Sequence, residues 1–394
     1  MTLPAAGNSI SLDQIHVELG ETSGTTVALG DSDVRALASD TSGAIGMDQF
    51  FGLSNTLDIT SVFKTVTYTG NSSTQDINTG LNMQSNHGLV LTRRSDSDTG
   101  TYLYDTVTGR NASNVNTISG TQFASRGFGV TATANRDLTT YNTNGFGVGQ
   151  NLNSEINRNG ATHCAWTFME DSRFFDIVTY TGTGSGRTVA HSLDAVPGMI
   201  IVKDIGNDES NDWVVWHSGD DSATQGYYLL GGSDLGTIGR QTSPYVWNNT
   251  APTSSVFSVG AKDDTPGQAR TNENGRSYVA YLFADTDNII KCGKVVHNSS
   301  TAVDLGFSNS SQFIMLKGIT GGNSGGGTDI NDRWNIFDNV NGIVNNDDDH
   351  MLEWSRYFDA ETSTARINPT SAGFTITNGM PNDTYLYMAI AASS

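Results

Sequence analysis

Charge, and positive charge above all, is what this sequence has little of. Charged residues make up 16% of the 394 positions, and 21 Lys and Arg stand against 41 Asp and Glu, which gives a formal net charge of -20. A typical globular domain carries about 25% charged residues. Because nucleic-acid binding depends on clustered Lys and Arg that neutralise phosphates, this balance argues against a nucleic-acid-binding protein.

Cysteine and long apolar runs are scarce as well. The two cysteines, Cys164 and Cys292, are too few for a disulfide framework, and we expect both to be buried small apolar residues. No apolar run approaches the roughly 18 residues that span a bilayer. The N-terminus has neither the basic nor the apolar region of a signal peptide. The sequence therefore predicts neither membrane insertion nor secretion through such a signal.

Glycine and aromatic residues are present in quantity. There are 44 Gly, while 16 Phe, 13 Tyr and 6 Trp recur in short, regularly spaced clusters, which favours a folded chain over a disordered one. At roughly 100 to 200 residues per domain, the length predicts about two to four domains.

Five short apolar or aromatic segments recur in the same order at a period of about 110 residues. Their residues are 66–70, 178–182 and 295–299 (segment 1); 88–91, 198–202 and 312–316 (segment 2); 102–105, 213–216 and 334–338 (segment 3); 145–148, 256–259 and 373–376 (segment 4); and 163–168, 278–283 and 385–390 (segment 5). Their β-branched and aromatic residues, often at alternate positions, are typical of strands. Turn dipeptides precede each segment 5, at Asn159-Gly160, Asn274-Gly275 and Asn382-Asp383.

The predicted fold is mainly β. Three tandem antiparallel β-sandwich or jelly-roll repeats of about 110 residues are expected at 56–173, 174–291 and 292–394, after a small helical N-terminal docking module at 1–55. Aromatic residues of the segments are predicted to be core, although a sugar-stacking platform is the alternative for Trp213, Trp216 and Trp334. The predicted core of the middle repeat is Val178, Ile200, Val202, Phe257, Val259, Val279 and Tyr281.

The first 55 residues have helical periodicity. Ser11 and Gln14 form a capping-box pattern, Ile10 can pack on Ile15, and Gly20 can end the helix. A second helix is predicted to start at Asp31 or Ser32, and a third turn covers 47–51. So small a piece buries little apolar surface alone, which predicts that it docks onto another protein or packs on the first sandwich. The predicted docking residues are Ile10, Leu12, Ile15, Val17, Phe50 and Phe51.

Candidate catalytic and metal sites are weak. The segment 322–326 has the nucleophile-elbow spacing without a strand and a helix around it. The seven His show no pair at metal-ligand spacing, so no catalytic residue, metal or cofactor is expected. The acidic clusters, predicted to be solvated turns, are Asp96 and Asp98, Asp220 and Asp221, Asp263 and Asp264, and 347–349. With 41 acids, a glycosidase pair stays open.

Several of these stretches together carry a resemblance that covers nearly the whole chain. Residues 3–15, 29–35 and 47–52 resemble the short N-terminal module of many tailed-bacteriophage tail and fibre-like proteins. The repeats resemble a domain of unassigned function in marine phage and cyanophage virion proteins, through residues 166–168, 174–182, 196–203, 278–283 and 385–390. The first repeat departs from the pattern with Tyr102 and Tyr104 in place of tryptophan, and the third lacks the Tyr-Thr-Gly opening.

What the resemblance implies is a non-enzymatic structural virion protein, a tail fibre, tail or baseplate component used in host attachment. The alternatives are a capsid decoration or head-fibre protein and, from another class, a surface-polysaccharide depolymerase. Expected partners are other tail or baseplate proteins and a host-surface glycan. Exposed strand edges also favour a homo-oligomer, most simply a trimer. The implied location is the outer surface of the particle, assembled in the host cytoplasm.

Overall fold

The structure, a computed structural model, divides the chain into two compact units, Met1–Asp58 and Ile59–Ser394. We call them the N-terminal unit and the β unit. The described residues are 3, 10–21, 23–24, 26–38, 45–50, 57–96, 101–108, 110–111, 114–118, 121–124, 129–131, 138–150, 156–205, 213–221, 224, 226–229, 241–261, 271–319, 334–343, 351–353 and 365–393. The described helices are α1 Leu12–Glu18, α2 Ser32–Leu37, a 3-10 helix Met47–Phe50 and α3 Ile59–Val62. None of these described helices is long and apolar enough to cross a membrane.

The N-terminal unit begins with the predicted capping box. The Ser11 hydroxyl accepts from the Gln14 backbone N–H (3.1 Å), and the Gln14 side-chain oxygen accepts from the Ser11 N–H (2.8 Å). After α1 the chain turns at Gly20, which has φ +85°. The second helix begins at Ser32 and the 3-10 helix at Met47, so all three predicted helical elements are confirmed.

The β unit is built from 27 described strands, and the mainly β, antiparallel fold class is confirmed. The strands are β1 Phe63–Thr69, β2 Gln75–Asn78, β3 Gly88–Arg94, β4 Tyr102–Asp105, β5 Arg110–Asn111, β6 Asn114–Ile118, β7 Thr121–Ala124, β8 Gly129–Thr131, β9 Leu138–Asn142, β10 Gly145–Val148, β11 Thr162–Met169, β12 Phe175–Thr181, β13 Arg187–Ala190, β14 Pro197–Asp204, β15 Val214–His217, β16 Gly226–Leu229, β17 Gln241–Thr242, β18 Val256–Val259, β19 Ser277–Ala284, β20 Ile290–His297, β21 Thr301–Asp304, β22 Ser311–Gly318, β23 Trp334–Asp338, β24 Leu352–Glu353, β25 Ile367–Thr370, β26 Gly373–Ile376 and β27 Asp383–Ala391. All fifteen predicted segments coincide with strands.

Three large sheets share one strand order. They run β1-β11-β3-β4-β7-β8, β12-β19-β14-β15-β16-β17 and β20-β27-β22-β23-β24, so segments 1, 5, 2 and 3 lie side by side in each. Three smaller sheets, β2-β10-β9-β6-β5, β13-β18 and β21-β26-β25, contain segment 4. We number the sheets of each size first, second and third in chain order. That the three parts are tandem copies of one domain stays a prediction.

Two adjacent strands of the third large sheet, β22 and β23, are buried on both faces. Ile314 and Phe337 of this sheet share a core with Val303 and Phe374 of the third small sheet, as in a sandwich. Phe313, next to Ile314 along the strand, is also fully buried, and alternate residues of a strand point to opposite faces. The second face is therefore covered by another part of the β unit.

The three large sheets meet in an aromatic core. The Phe168 ring of the first sheet lies 5.5 Å from Phe283 of the second and 5.9 Å from Phe313 of the third. The second and third sheets also touch, since the His217 ring lies 6.4 Å from Trp334. Each large sheet thus contacts the other two, and their apolar faces close around one core.

Most aromatic residues of the segments are buried in the core, as predicted, whereas Tyr68, Tyr102, Tyr180 and Tyr387 are half-buried. Trp213, Trp216 and Trp334 are at most 3% exposed, so the sugar-stacking alternative for them was wrong. Both cysteines are buried and unpaired with each other. Six of the seven predicted core residues of the middle part are buried, whereas Val178 is only half-buried because β12 lies at a sheet edge.

The turn dipeptides are confirmed in two of three places. Gly160 and Gly275 have φ of +75° and +79°, which favours glycine. In the third part, β27 already begins at Asp383, and neither Asn382 nor Asp383 has positive φ. A glycine also follows each segment 3, at Gly109, Gly219 and Gly342; Gly219 and Gly342 lie in turns, while Gly109 lies outside the described residues.

Candidate functional site

Asp105 joins the first large sheet to the second. Its Oδ1 accepts from the backbone N–H groups of Val107 (2.8 Å) and Thr108 (2.6 Å), which fixes the turn after β4. Its Oδ2 accepts from the hydroxyl of Tyr281 on β19 (2.8 Å). Burial raises the pKa of Tyr281, which keeps this hydroxyl protonated as the donor.

Asp338 makes the corresponding contacts between the third and first large sheets. Its Oδ1 accepts from the backbone N–H groups of Val340 (2.9 Å) and Asn341 (2.8 Å), and its Oδ2 accepts from the Trp166 indole N–H (3.0 Å). Asp105 is paired with Leu89 and Asp338 with Phe313, the corresponding positions of β3 and β22. Each of the two carboxylates therefore fixes the turn after its own strand and joins its sheet to a neighbouring large sheet.

His217 takes this position in the second large sheet. Its Nδ1 accepts from the Gly219 backbone N–H (3.0 Å), so Nε2 carries the proton and donates to the Tyr387 carbonyl on β27 (3.1 Å). Burial lowers the pKa of His217 to about 4, and the ring is neutral at pH 7. We call the contacts of Asp105, His217 and Asp338 with the neighbouring sheets the closure contacts. Together they connect the three large sheets in a ring.

Among the described residues, two polar clefts lie on the surface of the β unit. The first, with a volume of about 470 Å³, lies beside β2 and the β9–β10 turn and is lined by Ile77 and six polar residues: Asp76, Asn78, Gln84, Asn142, Thr143 and Asn144. The second, of about 350 Å³, lies beside the β25–β26 turn and is lined by Ser308, Asn309, Ser310, Pro369, Thr370 and Ser371. Neither lining contains a Lys, an Arg or an aromatic residue.

The same backbone framework supports both clefts. The Thr79 N–H donates to the Asn144 carbonyl (3.0 Å) in the first small sheet, and the Leu305 N–H donates to the Ala372 carbonyl (2.9 Å) in the third. In the first small sheet Gly145 pairs with Asn78, and in the third Gly373 pairs with Asp304. The clefts therefore lie at corresponding ends of the first and third small sheets.

Side-chain hydrogen bonds hold part of the first cleft in place. Asp76 Oδ1 accepts from Asn142 Nδ2 (2.8 Å), and Asn78 Oδ1 accepts from the Gly80 backbone N–H (3.0 Å). The side chains of Asp76, Asn78 and Asn144 are exposed. A carboxylate supplies acceptors and an amide supplies donors and acceptors, so this surface can exchange hydrogen bonds with hydroxyl groups of a ligand.

The predicted docking residues are divided between the inside and the surface of the N-terminal unit. Ile15 and Phe50 are fully buried in a cluster with Leu3 and Val34, and Ile10 and Leu12 pack partly exposed against it. Val17 is half-buried, while Phe51 lies outside the described residues. The N-terminal unit therefore has a small apolar cluster of its own. Its docking role stays a prediction, with Ile10, Leu12 and Val17 as the accessible candidates.

Several acidic residues are engaged in contacts. Asp96 pairs with Arg94 (2.9 Å), and Asp221 pairs with Lys294. Asp220 is buried and accepts from the Tyr228 hydroxyl, so the prediction of a solvated residue was wrong there. The other predicted acidic residues, Asp98, Asp263, Asp264 and 347–349, and the elbow at 322–326 lie outside the described residues.

Glu170 has features that a general acid requires. Burial raises the pKa of its carboxyl, which lies 2.9 Å from His87 Nδ1 and accepts from the Ile177 backbone N–H (2.9 Å). Within the described part of the chain, no group of three or more His, Cys, Asp or Glu is placed to hold a metal ion.

The comparison with known families assigns the β unit. Residues 58–394 match the family model described as a domain of unknown function, DUF7483. No curated protein matches the chain.

Proposed function

The chain belongs to the DUF7483 family, and we propose that it is a non-enzymatic structural protein of a tailed-bacteriophage particle, a tail, tail-fibre or baseplate component used in host attachment. The observation that carries this proposal is the two-unit organisation. A capped helical unit whose sequence resembles phage tail modules precedes a large β unit that is closed on itself.

Closure of the β unit supports a structural role. The apolar faces of the three large sheets are buried against one another inside the β unit, and close-packed interiors resist deformation. The chain therefore offers a rigid body with a polar, acidic surface and a separate N-terminal unit for attachment to another virion protein.

The same closure refines the proposed oligomer. In a trimer, sheets of three copies would cover one another's apolar faces. In this chain the three large sheets of a single copy already do so. We therefore place homotrimer formation in the N-terminal unit and expect the isolated β unit to be a monomer. Light scattering on the full chain and on residues 57–394 tests this, and a trimeric β unit would contradict it.

Deleting residues 1–56 tests the proposed attachment. We expect the β unit to remain soluble and to unfold cooperatively, because it is compact by itself, and to be missing from purified particles. The point variant Leu12→Ser, at a partly exposed residue, serves as a milder version of the deletion. Incorporation of the truncated chain at the normal level would place the anchor in the β unit.

The location in the particle distinguishes tail from head. Antibody labelling of intact particles in electron micrographs should mark the tail, its fibres or the baseplate. Labelling of the capsid would favour the decoration or head-fibre alternative, and absence from purified particles would contradict the proposal.

Within the described part of the chain, Glu170 is a candidate residue for the depolymerase alternative, because burial raises its pKa and it contacts His87. Incubation with host capsule or lipopolysaccharide, followed by measurement of new reducing ends, should show no cleavage. Cleavage that is lost in Glu170→Gln and kept in the exposed control Asp194→Asn would establish the enzyme instead.

A further inference from the structure

We infer that the two polar clefts are binding sites for a neutral, hydroxyl-rich glycan. This inference rests on the proposed function, since it names the ligand that an attachment protein would bind. Its starting point is that clefts of about 470 and 350 Å³ occur at corresponding ends of two small sheets.

The lining groups select a neutral polar ligand. Twelve of the thirteen lining residues carry no charge, the exception being Asp76, and only Ile77 and Pro369 are apolar. An anionic ligand would meet the Asp76 carboxylate without a Lys or Arg in the lining, on a chain of net charge -20. An apolar ligand would leave the surrounding amides and hydroxyls without water or partners. Sugar hydroxyls, which donate and accept, match both linings.

The first cleft is preorganised for such contacts. Asn142 holds the Asp76 carboxylate at 2.8 Å, and the backbone bond from Thr79 to Asn144 fixes the turn that forms one wall. Fixed polar groups lose little conformational freedom when a ligand binds. The second cleft has hydroxyl groups in place of the carboxylate, on the same backbone framework.

The test is retention of the full-length protein on immobilised dextran, mannan and galactan, with dextran sulfate as the charged counterpart of dextran. We expect retention on at least one neutral polymer and weaker retention on dextran sulfate than on dextran. Two sites on one chain bind a polymer with avidity. Blocking either cleft should therefore weaken retention by on the order of 100-fold.

Matched variants locate the binding. Thr143→Leu and Ser371→Leu place an apolar side chain, which offers neither a hydrogen bond nor an aromatic face to a sugar, at the exposed turn of the first and second cleft, respectively. Ser254→Leu, at the corresponding exposed turn of the second small sheet, is the control that should bind like the wild type. Circular dichroism verifies that each variant is folded.

Three results would overturn the inference: no retention on any neutral polymer, preference for dextran sulfate, or wild-type retention by the folded double variant Thr143→Leu, Ser371→Leu. Its failure is distinguishable from failure of the proposed function. A protein that is found in particles but binds no neutral polymer contradicts the inference alone, and one that binds but is absent from particles contradicts the proposed function alone.

Discussion

At the scale of single residues, each side chain that makes a closure contact forms two kinds of hydrogen bond. Asp105 and Asp338 each fix the turn after their own strand and also accept a donor from a neighbouring sheet. His217 does the same with the two nitrogens of its ring. The sequence shows a polar residue at the end of each such strand, but it does not show which distant donor or acceptor meets it.

Tyr281→Phe measures one closure contact. The change removes the hydroxyl that donates to the Asp105 carboxylate (2.8 Å) and keeps the ring, so we expect a loss of about 1.5 to 3 kcal/mol of unfolding free energy. Denaturant unfolding measures it. Tyr245→Phe, at a tyrosine that is 48% exposed, is the control, and equal stability of the two variants would contradict the assignment.

His217 predicts a pH dependence of stability. Its pKa in the folded protein, about 4, lies below the ordinary value of 6.5, so only the unfolded chain gains a proton between these values. The folded state is therefore favoured above pH 6.5 and loses stability as the pH falls towards 4. For this residue we expect a loss of about 2 kcal/mol between pH 8 and pH 5.

The variant His217→Gln isolates that contribution. It is expected to be less stable than the wild type at pH 8, and the difference should shrink by about 2 kcal/mol at pH 5. Unfolding curves at the two pH values, taken on both proteins, provide the measurement. A difference that does not change with pH would mean that the imidazole is not held neutral.

At the scale of elements, strands with several buried residues could be predicted and strands with one could not. In segments 1 to 5, apolar and aromatic residues stand at alternate positions or in continuous runs, and all fifteen segments coincide with strands. By contrast, β2, β13 and β21 bury one residue each, Ile77, Val189 and Val303, between polar neighbours. A single apolar residue gives no periodicity to detect. One wall of the first cleft, formed by β2, was missed for this reason.

The Tyr-Thr-Gly end of segment 1 has a local explanation. The Tyr68 hydroxyl donates to the Ile156 carbonyl (2.6 Å), and Tyr180 makes a corresponding contact in the second part. Gly70 follows, and a Cβ atom there would lie 2.2 Å from the Arg158 carbonyl oxygen. The glycine is therefore required by close approach of two backbones.

Gly70→Ala tests this requirement. Because the obstructing atom belongs to the backbone, we expect a cost of about 1 to 3 kcal/mol, typical of overpacking. Ser73→Ala, at an exposed residue of the same connection, should change stability by less than about 0.5 kcal/mol. Thermal unfolding of the two variants distinguishes them, and a Gly70→Ala protein as stable as the control would show that the backbones separate easily.

At the scale of the whole molecule, the sequence predicts three sandwiches in a row but not their closure around one core. The apolar runs of segments 2 and 5 predict that the large sheets are buried on both faces. They do not show which part of the chain covers the second face. Contacts such as Trp166 with Asp338 join residues 172 positions apart. Only the folded chain brings these positions together.

Closure makes one residue important to all three sheets. The Phe168 ring contacts Phe283 and Phe313 as well as Phe63 of its own sheet, and its side chain is fully buried. Truncation to alanine should cost about 3 to 5 kcal/mol, as for other buried phenylalanines. If the three large sheets unfold as one cooperative unit, this loss of stability extends to the second and third sheets, which are distant along the chain.

Hydrogen exchange of Phe168→Ala, followed by mass spectrometry, tests this shared core most directly. We predict that amides in β19 and β27 lose protection together with those in β11, because the three strands stabilise one core. Phe257→Ala, in the second small sheet, is the matched comparison that should affect the second part first. Faster exchange confined to the first large sheet in Phe168→Ala, with β19 and β27 protected as in the wild type, would show three independent sandwiches and contradict the closed β unit.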